Sequence, residues 1–553
     1  MRQIRWEEAQ VEPARWRGLA DSHGLSTLSA RLVAAAGMDG DGAEAFLYPE
    51  RADLPDPHRI PNMNEAVDRI QAALEAGERI LVHGDYDVDG LMGAAILMTG
   101  LRALGGDVLP FIPSRFGGGY GVGEASVRAA EEAGASLVLT ADCGTNAREA
   151  EEALRRLGMD FLVSDHHLPT ADFCTATPVV NPHVEEGHPD RALCGAAVAL
   201  QVMRAVTDRM GRELRLDPYL RLVAVATVAD SVPMTPVNRA LCRRGMETLA
   251  DTPSPALRYL LNAGGIRPPV RSCHLAFALA PRINAAGRMA EASLILDLLL
   301  ERDRKASLHL ATLLEKLNED RKREQTAVFD DALVRYGAQG DGRVAFVAAD
   351  HWHKGVLGPV AARLAETVGR SAFVMTYDGD LGTGSARAWA GENVSDFLER
   401  CSEHLVRFGG HRAAAGFTVK REKEADLRGA LSRIPAGGNG EAEPQIFHGV
   451  DPMEADGIWD AWGVLDPFGP GNEEPYLGLR GLVPERIRVA KRRHMFWEAV
   501  LPSGRTLSFV WWNGAGGKTP APEPSSSGVI VGRPVPEAPR RDMTFRFQVE
   551  TVL

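Results

Sequence analysis

The segment HGDYDVDG crowds His83, Asp85, Asp87 and Asp89 onto the end of an apolar run, after which the chain turns at Gly90. Alternate residues of an extended segment point to the same side, so Asp85, Asp87 and Asp89 can converge on one cation. Like charges this close need a metal ion or protons to offset them. A solvated Asp-rich turn is the plainer account of the same residues. Three later segments repeat the placement. LTADCGT carries Asp142 at the end of an apolar strand, where a helix N-cap is the ordinary role. VSDHHLP sets Asp165, His166 and His167 at another strand end, and carboxylate beside imidazole suits Mn2+, with a purely structural role equally open. ATVADSVPM puts Asp230 after a further apolar run, where alone it would pass for a cap or turn residue. Taken together, the strand-end acids at 87, 89, 142, 165 and 230, with His83, His166 and His167, predict one site for two divalent ions, Mn2+ or Mg2+. Such a pair, about 3.5–4 Å apart, activates a water and stabilises both oxygens of an in-line displacement at phosphorus. Phosphoester or phosphoanhydride hydrolysis is the expected reaction.

These residues need a scaffold, and the pattern supplies one. RILVHGDYD, SLVLTADCG and MDFLVSDHH are short apolar runs separated by helical patterns such as GLMGAAILMTGLRAL and AREAEEALRRLG. Alternation of that kind predicts an α/β fold with a parallel sheet covered by helices, and such sheets form ligand crevices at the carboxyl ends of their strands. Residues 1–75 are polar and Pro-punctuated and read as an N-terminal lead-in, ending in the periodic helix MNEAVDRIQAALEAGE. The catalytic domain is expected over 76–300, and the charged stretch 301–335 reads as a long connecting helix. A smaller α/β domain follows over 336–425, with strands in RVAFVAAD and SAFVMTYD and a helix in GPVAARLAETVG. From 445 to 553, RIRVA, MFWEAVL, TLSFVWW and MTFRFQVE alternate with turns, which predicts a small C-terminal β-barrel, interrupted by the loop GAGGKTPAPEPSSSG.

With 553 residues and 45% hydrophobic content the chain can bury several cores, so a multidomain protein is expected. Its 62 basic and 74 acidic residues leave a net charge of −12, which excludes a surface coated throughout for polyanions. Any nucleic-acid groove must be local. The basic run Arg486, Arg488, Lys491, Arg492 and Arg493 leading into His494, Phe496 and Trp497 offers charge and stacking rings for a single strand, or a core pair of aromatics beneath a solvated basic face. The six cysteines form no C-x-x-C pair and read as thiols in a reducing compartment. No signal core opens the chain and no apolar stretch of about eighteen residues interrupts it, so a cytoplasmic protein without a membrane partner is expected.

DYDVDG, ADCG, SDHH and VADSVP resemble, in that order, the four motifs of the DHH phosphoesterase superfamily. The resemblance implies Asp87, Asp89, Asp142, His166 and Asp230 as core metal ligands, His83 and Asp85 as additional ones, and Asp165 and His167 as orienting or proton-transfer groups. WHKGVLGPVAARL, which contains His353, together with GTGSARAW and FGGHRAAAGF, resembles the companion DHHA1 domain. There Gly409 and Gly410 let backbone approach a ligand, His411 can hydrogen-bond phosphate, and Ser385 with Arg387 offers a hydroxyl and a planar fork. A tight turn and a surface charge account for the same residues structurally. PSRFGGGYG, PRINAAGRM and LDPFGPGNEEP with its barrel-like strands resemble the RecJ-like exonucleases of this superfamily. That likeness implies a grip on a terminal 5′ phosphate by Arg115, Ser385 and Arg387. It places Arg282 at the nucleotide beside the scissile bond, where pairing with an acid is the structural alternative, and assigns Asn284 and Arg288 to the substrate path. The implied function is 5′ to 3′ hydrolysis of single-stranded DNA to 5′ mononucleotides in repair and recombination, with single-strand-binding protein and a helicase as partners. A DHH phosphodiesterase or pyrophosphatase on small substrates, or a non-catalytic DNA-binding scaffold, is the alternative. A scaffold would be expected to have lost metal ligands, and every acid and His of the four motifs is present.

Overall fold

The computed structural model describes residues 5–51, 54–114, 121–339, 342–435, 444–491, 494–512, 514, 528–540 and 543–553. Arg115, Arg492, Arg493 and nearly all of the loop 514–528 therefore lie outside the described residues. The chain forms two compact units, one of Asn284–Glu291 and Thr312–Glu443, the other of Ile4–Ile283, Ala292–Ala311 and Pro444–Leu553. Among the described residues no helix is long and apolar enough to cross a membrane.

The larger unit is built on a five-stranded parallel sheet in the spatial order Asp107–Phe111, Arg79–Gly84, Leu137–Ala141, Asp160–Ser164 and Val179–Val180. Ile80, Leu81, Val82, Leu137, Val138 and Leu139 are buried on both faces, which is why these strands read as continuous apolar runs rather than alternating ones. The chain fills one side of the Arg79–Gly84 strand and then the other. The switch point, where connections diverge and leave a crevice, thus falls between the carboxyl ends of Arg79–Gly84 and Leu137–Ala141. The helix Val88–Ala103 is buried over nearly its whole length. Two glycines are dictated by closeness at its base: a Cβ at Gly90 would stand 2.5 Å from the Asp85 backbone nitrogen, and one at Gly195 would stand 2.5 Å from Asp142 Cβ.

In the smaller unit a five-stranded sheet runs Arg407–Gly410, Ala414–Lys420, Leu381–Arg387, Ala372–Asp378, Ala345–Ala349, antiparallel except for the last pair. The helix Leu357–Val368 packs its Val360, Ala361 and Leu364 into the core beneath that sheet. The charged stretch is a single 36-residue helix, Arg304–Gln339.

The C-terminal strands depart from expectation. They join an eight-stranded sheet in the order Trp6–Glu8, Gln445–Val450, Tyr476–Leu479, Ile530–Arg540, Met543–Val552, Thr506–Trp511, His494–Val500, Glu485–Ala490. Among the described residues this sheet is open, with Trp6–Glu8 and Glu485–Ala490 each paired on one side, so the expected barrel is corrected to an open sheet. The physical reason is the N-terminal segment, which is no mere lead-in. Its strand extends one end of the sheet in parallel, and its helices Thr27–Ala35 and Gly40–Leu47 bring Leu28, Leu32 and Phe46 into one core with Val450, Trp462, Leu477 and Phe547. A face filled by helices does not need closure to exclude water. Arg239, 2% exposed, stitches the same region by donating to the carbonyls of Phe46 (2.8 Å), Val464 (2.8 Å) and Leu465 (2.6 Å).

Candidate metal centre

The acidic residues converge where the parallel strands end. Asp87 caps the helix Val88–Ala103, its Oδ1 accepting from the backbone nitrogens of Asp89 (3.0 Å) and Gly90 (3.1 Å). Asp89, one turn in, is held by a second helix start: its Oδ2 accepts from Gly195 N at 2.6 Å and its Oδ1 from Ala196 N at 2.7 Å. Both carboxylates thus sit against helix N-termini, which favour negative charge. Asp142 follows the strand Leu137–Ala141 with φ +65°, a left-handed conformation uncommon outside glycine.

Asp165 organises the segment after Asp160–Ser164. Its Oδ2 accepts from Thr145 N (3.0 Å), and its Oδ1 takes the backbone nitrogens of His166 (2.7 Å) and His167 (3.2 Å) and the His167 Nδ1 (2.8 Å). Burial works against the charged forms of this pair. The mutual hydrogen bond and charge outweigh it, holding the Asp165 carboxyl well below the usual range and raising His167 to about 9. Asp165 is in this way a positioning residue for the two imidazoles.

Three overlapping ligand groups result: Asp142 with His166 and His167, Asp89 with His166 and Asp230, and Asp85 with Asp87 and Asp142, each able to bring its ligand atoms within 4.8 Å of one another. His166 Nε2 stands 3.1 Å from Asp142 Oδ1 and 3.7 Å from both Asp89 Oδ2 and Asp230 Oδ2. Asp142 Oδ1 is buried yet makes no hydrogen bond, as expected of an oxygen turned toward a cation rather than a donor. Burial, then repulsion from neighbouring carboxylates, pushes Asp142 well above the ordinary range, lifts Asp87, and raises Asp230 to about 8. Hard carboxylates and imidazoles with unoffset charge are the donor set for Mn2+ or Mg2+, so these residues fit a divalent ion.

Two expectations need correction. Asp230 is not at a strand end; it closes the helix Asp217–Asp230, with Ser231 left-handed after it. A carboxylate is unfavourable at a helix C-terminus, which makes its aim at His166 more telling than its sequence context. His83 is not brought into any of the ligand groups. It is fully buried, its Nε2 lies 2.9 Å from Ser126 Oγ and its Nδ1 3.4 Å from Cys143 Sγ, and burial lowers it to about 4. The side chain of a strand residue on that face packs under the site rather than into it. The backbone donors Gly195, Ala196 and Thr145 escaped sequence reading because main-chain groups carry no residue signature.

The remaining candidates fall on both units. Arg282 donates to the carbonyls of Ala278 (2.6 Å) and Ala263 (2.8 Å). In the smaller unit, Asn284 is half-buried on the helix Ala280–Met289, and Arg288 Nη1 donates to Gly355 O at 3.4 Å. His353 accepts from Gly355 N at 3.1 Å, capping a short turn before the helix Leu357–Val368. Arg387 donates to Ser385 Oγ at 2.9 Å, and a Cβ at Gly358 would stand 2.9 Å from Arg387 Nη2, so the guanidinium lies over that helix start, an arrangement suited to an anion. Gly409, Gly410 and His411 form an exposed hairpin tip in which Gly410 has φ +145° and a Cβ would strike Ala414 O at 2.5 Å. On the C-terminal sheet, register divides the aromatic pair. Trp497 is 2% exposed and stacks on Phe509, whereas Phe496 meets Arg488, Arg546 and Trp512. Arg546 and Trp512 join this face from neighbouring strands and could be found only by pairing them.

Residues 79–227 match the DHH family, N-terminal domain, and residues 341–434 the DHHA1 domain. The chain is 32% identical to the single-stranded-DNA-specific exonuclease RecJ of Bacillus subtilis over 88% of its own length and 62% of that protein's, so it spans less than two thirds of that relative. It is 33% identical to RecJ of Thermus thermophilus over 89% of this chain and 72% of the other. The crystal structure of Thermus thermophilus RecJ in complex with Mn2+ superposes with a TM-score of 0.83 at 29% identity, covering 100% of this chain and 80% of that one. The same protein in complex with Mg2+ gives 0.77 at 28% identity, covering 100% and 79%. The chain therefore belongs to the DHH family and, within it, to the RecJ family of single-stranded-DNA-specific exonucleases.

Proposed function

We propose that this protein is a metal-dependent exonuclease that degrades single-stranded DNA from the 5′ end to 5′ mononucleotides, in repair and recombination. The observation that carries the reading is the chain of three ligand groups sharing Asp142 and His166. Shared ligands are what a pair of neighbouring ions requires, so two Mn2+ or Mg2+ ions are assigned here, and RecJ of Thermus thermophilus has been crystallised in complex with each of these metals. When bound, the ions would lower the pKa of a water and offset charge on the phosphoryl oxygens.

The protein's own residues do the rest. The helix starts at Val88 and Gly195 hold Asp87 and Asp89 in place, so the ligands need little reorganisation on binding metal. Asp165 fixes His167 through Nδ1 and so presents Nε2 for ligation or proton transfer. Ser385 and Arg387 at the start of the helix Leu357–Val368, with Arg115, would hold the terminal phosphate and set polarity. His353, Asn284, Arg288, Gly409 and Gly410 would flank the nucleotide path, and Arg282 and His411 would offset charge as the scissile phosphate is attacked. Phe496 with Arg488, Arg546 and Trp512 supplies rings and charge for the unpaired strand. A cytoplasmic location, with single-strand-binding protein and a helicase as partners, accompanies this reading.

The test is purified protein with Mn2+ offered 5′-labelled single-stranded DNA, duplex DNA, short RNA and pyrophosphate. Release of 5′ mononucleotides from the single strand first is expected. Preferential turnover of pyrophosphate, or no mononucleotide release, would overturn the proposal.

A further inference from the structure

Beside the metal centre lies a cavity of about 330 Å³ in the larger unit, bordered by Val228 and Ser231, two residues before and one after Asp230, and by Phe277, Phe468, Glu473 and Arg533. One wall is a π-helical turn, Leu275–Leu279. Such turns are rare, carry an extra residue per turn, and recur at functional sites. Here the turn keeps Leu275 and Leu279 fully buried while throwing Phe277 outward, 79% exposed. An aromatic ring left in water forgoes the free energy of burial, and this ring borders a concave surface also lined by Phe468, itself 8% exposed.

The polar lining decides what can enter. Arg533 is paired with Glu474 at 3.6 Å and lies over the Tyr476 ring, and Glu473 adds a second carboxylate to the wall. Two acids against one committed guanidinium repel a phosphate. They accept instead from N–H groups, and carboxylates read base amino groups in this way. A flat, π-rich, N–H-bearing group that leaves its phosphate outside is a nucleobase.

Resting on the function proposed above, we propose that this cavity is a nucleobase subsite in which Phe277 stacks on one unpaired base of the DNA strand beside the scissile phosphate. Phe277 is in this account a substrate-positioning residue: it holds the strand so that the phosphate next to the stacked base lies at the Asp230 side of the metal centre. Duplex DNA, whose bases are already stacked and paired, cannot offer that base, so the subsite also selects for single strands.

The experiment uses the full chain with Mn2+ and 5′-phosphorylated oligonucleotides in which one abasic nucleotide is moved stepwise from the 5′ end. Phe277→Ala should lower kcat/KM on the normal oligonucleotide about tenfold, the usual scale of one lost base stack, with the loss carried by KM, and Phe277→Trp should restore it. One abasic position should impose the same loss on the wild type and no further loss on Phe277→Ala. An unchanged KM in Phe277→Ala, or equal abasic penalties in wild type and variant at every position, would overturn the subsite while leaving the exonuclease reading intact. A wild type that releases no mononucleotide would bring down both.

Discussion

Two buried charge clusters in the larger unit make opposite use of burial. Around Arg239, Arg243, Arg271 and Asp466 the excess is positive, and backbone carbonyls absorb it. Arg239 ends on Phe46, Val464 and Leu465, Arg243 ends on Gly463 and Asp466, and the Asp466 carboxylate accepts from Ser272. Around Asp142 the excess is negative, carboxylates face one another, and burial with mutual repulsion drives Asp142, Asp87 and Asp230 upward. The first cluster ties distant segments together through those carbonyls, with Arg243 Nε and Arg271 Nε left buried without a hydrogen bond. The second is incomplete without a cation. Buried cations that end mostly on main-chain carbonyls are architecture, and buried carboxylates crowded against one another mark a cation site.

Removing one shared ligand should show the contrast most strongly. Asp142→Ala is expected to cut Mn2+-dependent cleavage about 10³-fold or more, roughly the loss of 4 kcal/mol of barrier lowering, while binding to single-stranded DNA stays measurable by anisotropy. Retained cleavage would make the acidic cluster structural. In the other cluster, Arg239→Ala should cost about 3–5 kcal/mol of stability, the range for breaking a buried charged network, read from denaturant unfolding. A loss below about 1 kcal/mol would show that Arg239 does not tie the segments together.

The next test is linkage. A carboxyl whose folded pKa is raised binds protons that the unfolded chain releases, so the metal-free protein loses stability as pH climbs from the ordinary carboxylate range through about 8, where Asp230 titrates. Divalent metal replaces those protons. The rise in Tm on adding Mn2+ should therefore be larger at pH 8 than at pH 6, and Asp142→Asn should shrink the difference. An equal rise at both pH values would contradict the cluster's unoffset charge.

The smallest effect belongs to His274 at the cationic cluster, which burial and then Arg271 lower to about 4. Its unfolded state takes up a proton near pH 6.5 while the fold does not, so stability is lost between pH 6.5 and about 4. His274→Asn, which keeps an acceptor for the Arg271 backbone nitrogen now bonded at 3.0 Å, should flatten that part of the acid profile. An unchanged slope would remove His274 from the account.

The sequence by itself determined the chemistry of the centre. Asp85, Asp87, Asp89, Asp142, Asp165, His166 and His167 follow apolar strands, and in a parallel sheet all such ends lie on one edge, so local pattern implies convergence. It likewise marked two of the five strands of the second sheet, Ala345–Ala349 and Ala372–Asp378, and the long charged helix, whose periods are local properties. Tertiary structure alone decided what depends on pairing across the chain. It turned His83 into a packed imidazole beneath the site, put Asp230 on a helix end, and sorted Phe496 from Trp497 by register. It also joined the N-terminal helices to a core some four hundred residues away and, among the described residues, left the C-terminal sheet open. Apolar residues state that they will be buried, but only the folded chain selects their partners, because the hydrophobic effect is non-directional and does not distinguish a near neighbour from a distant one.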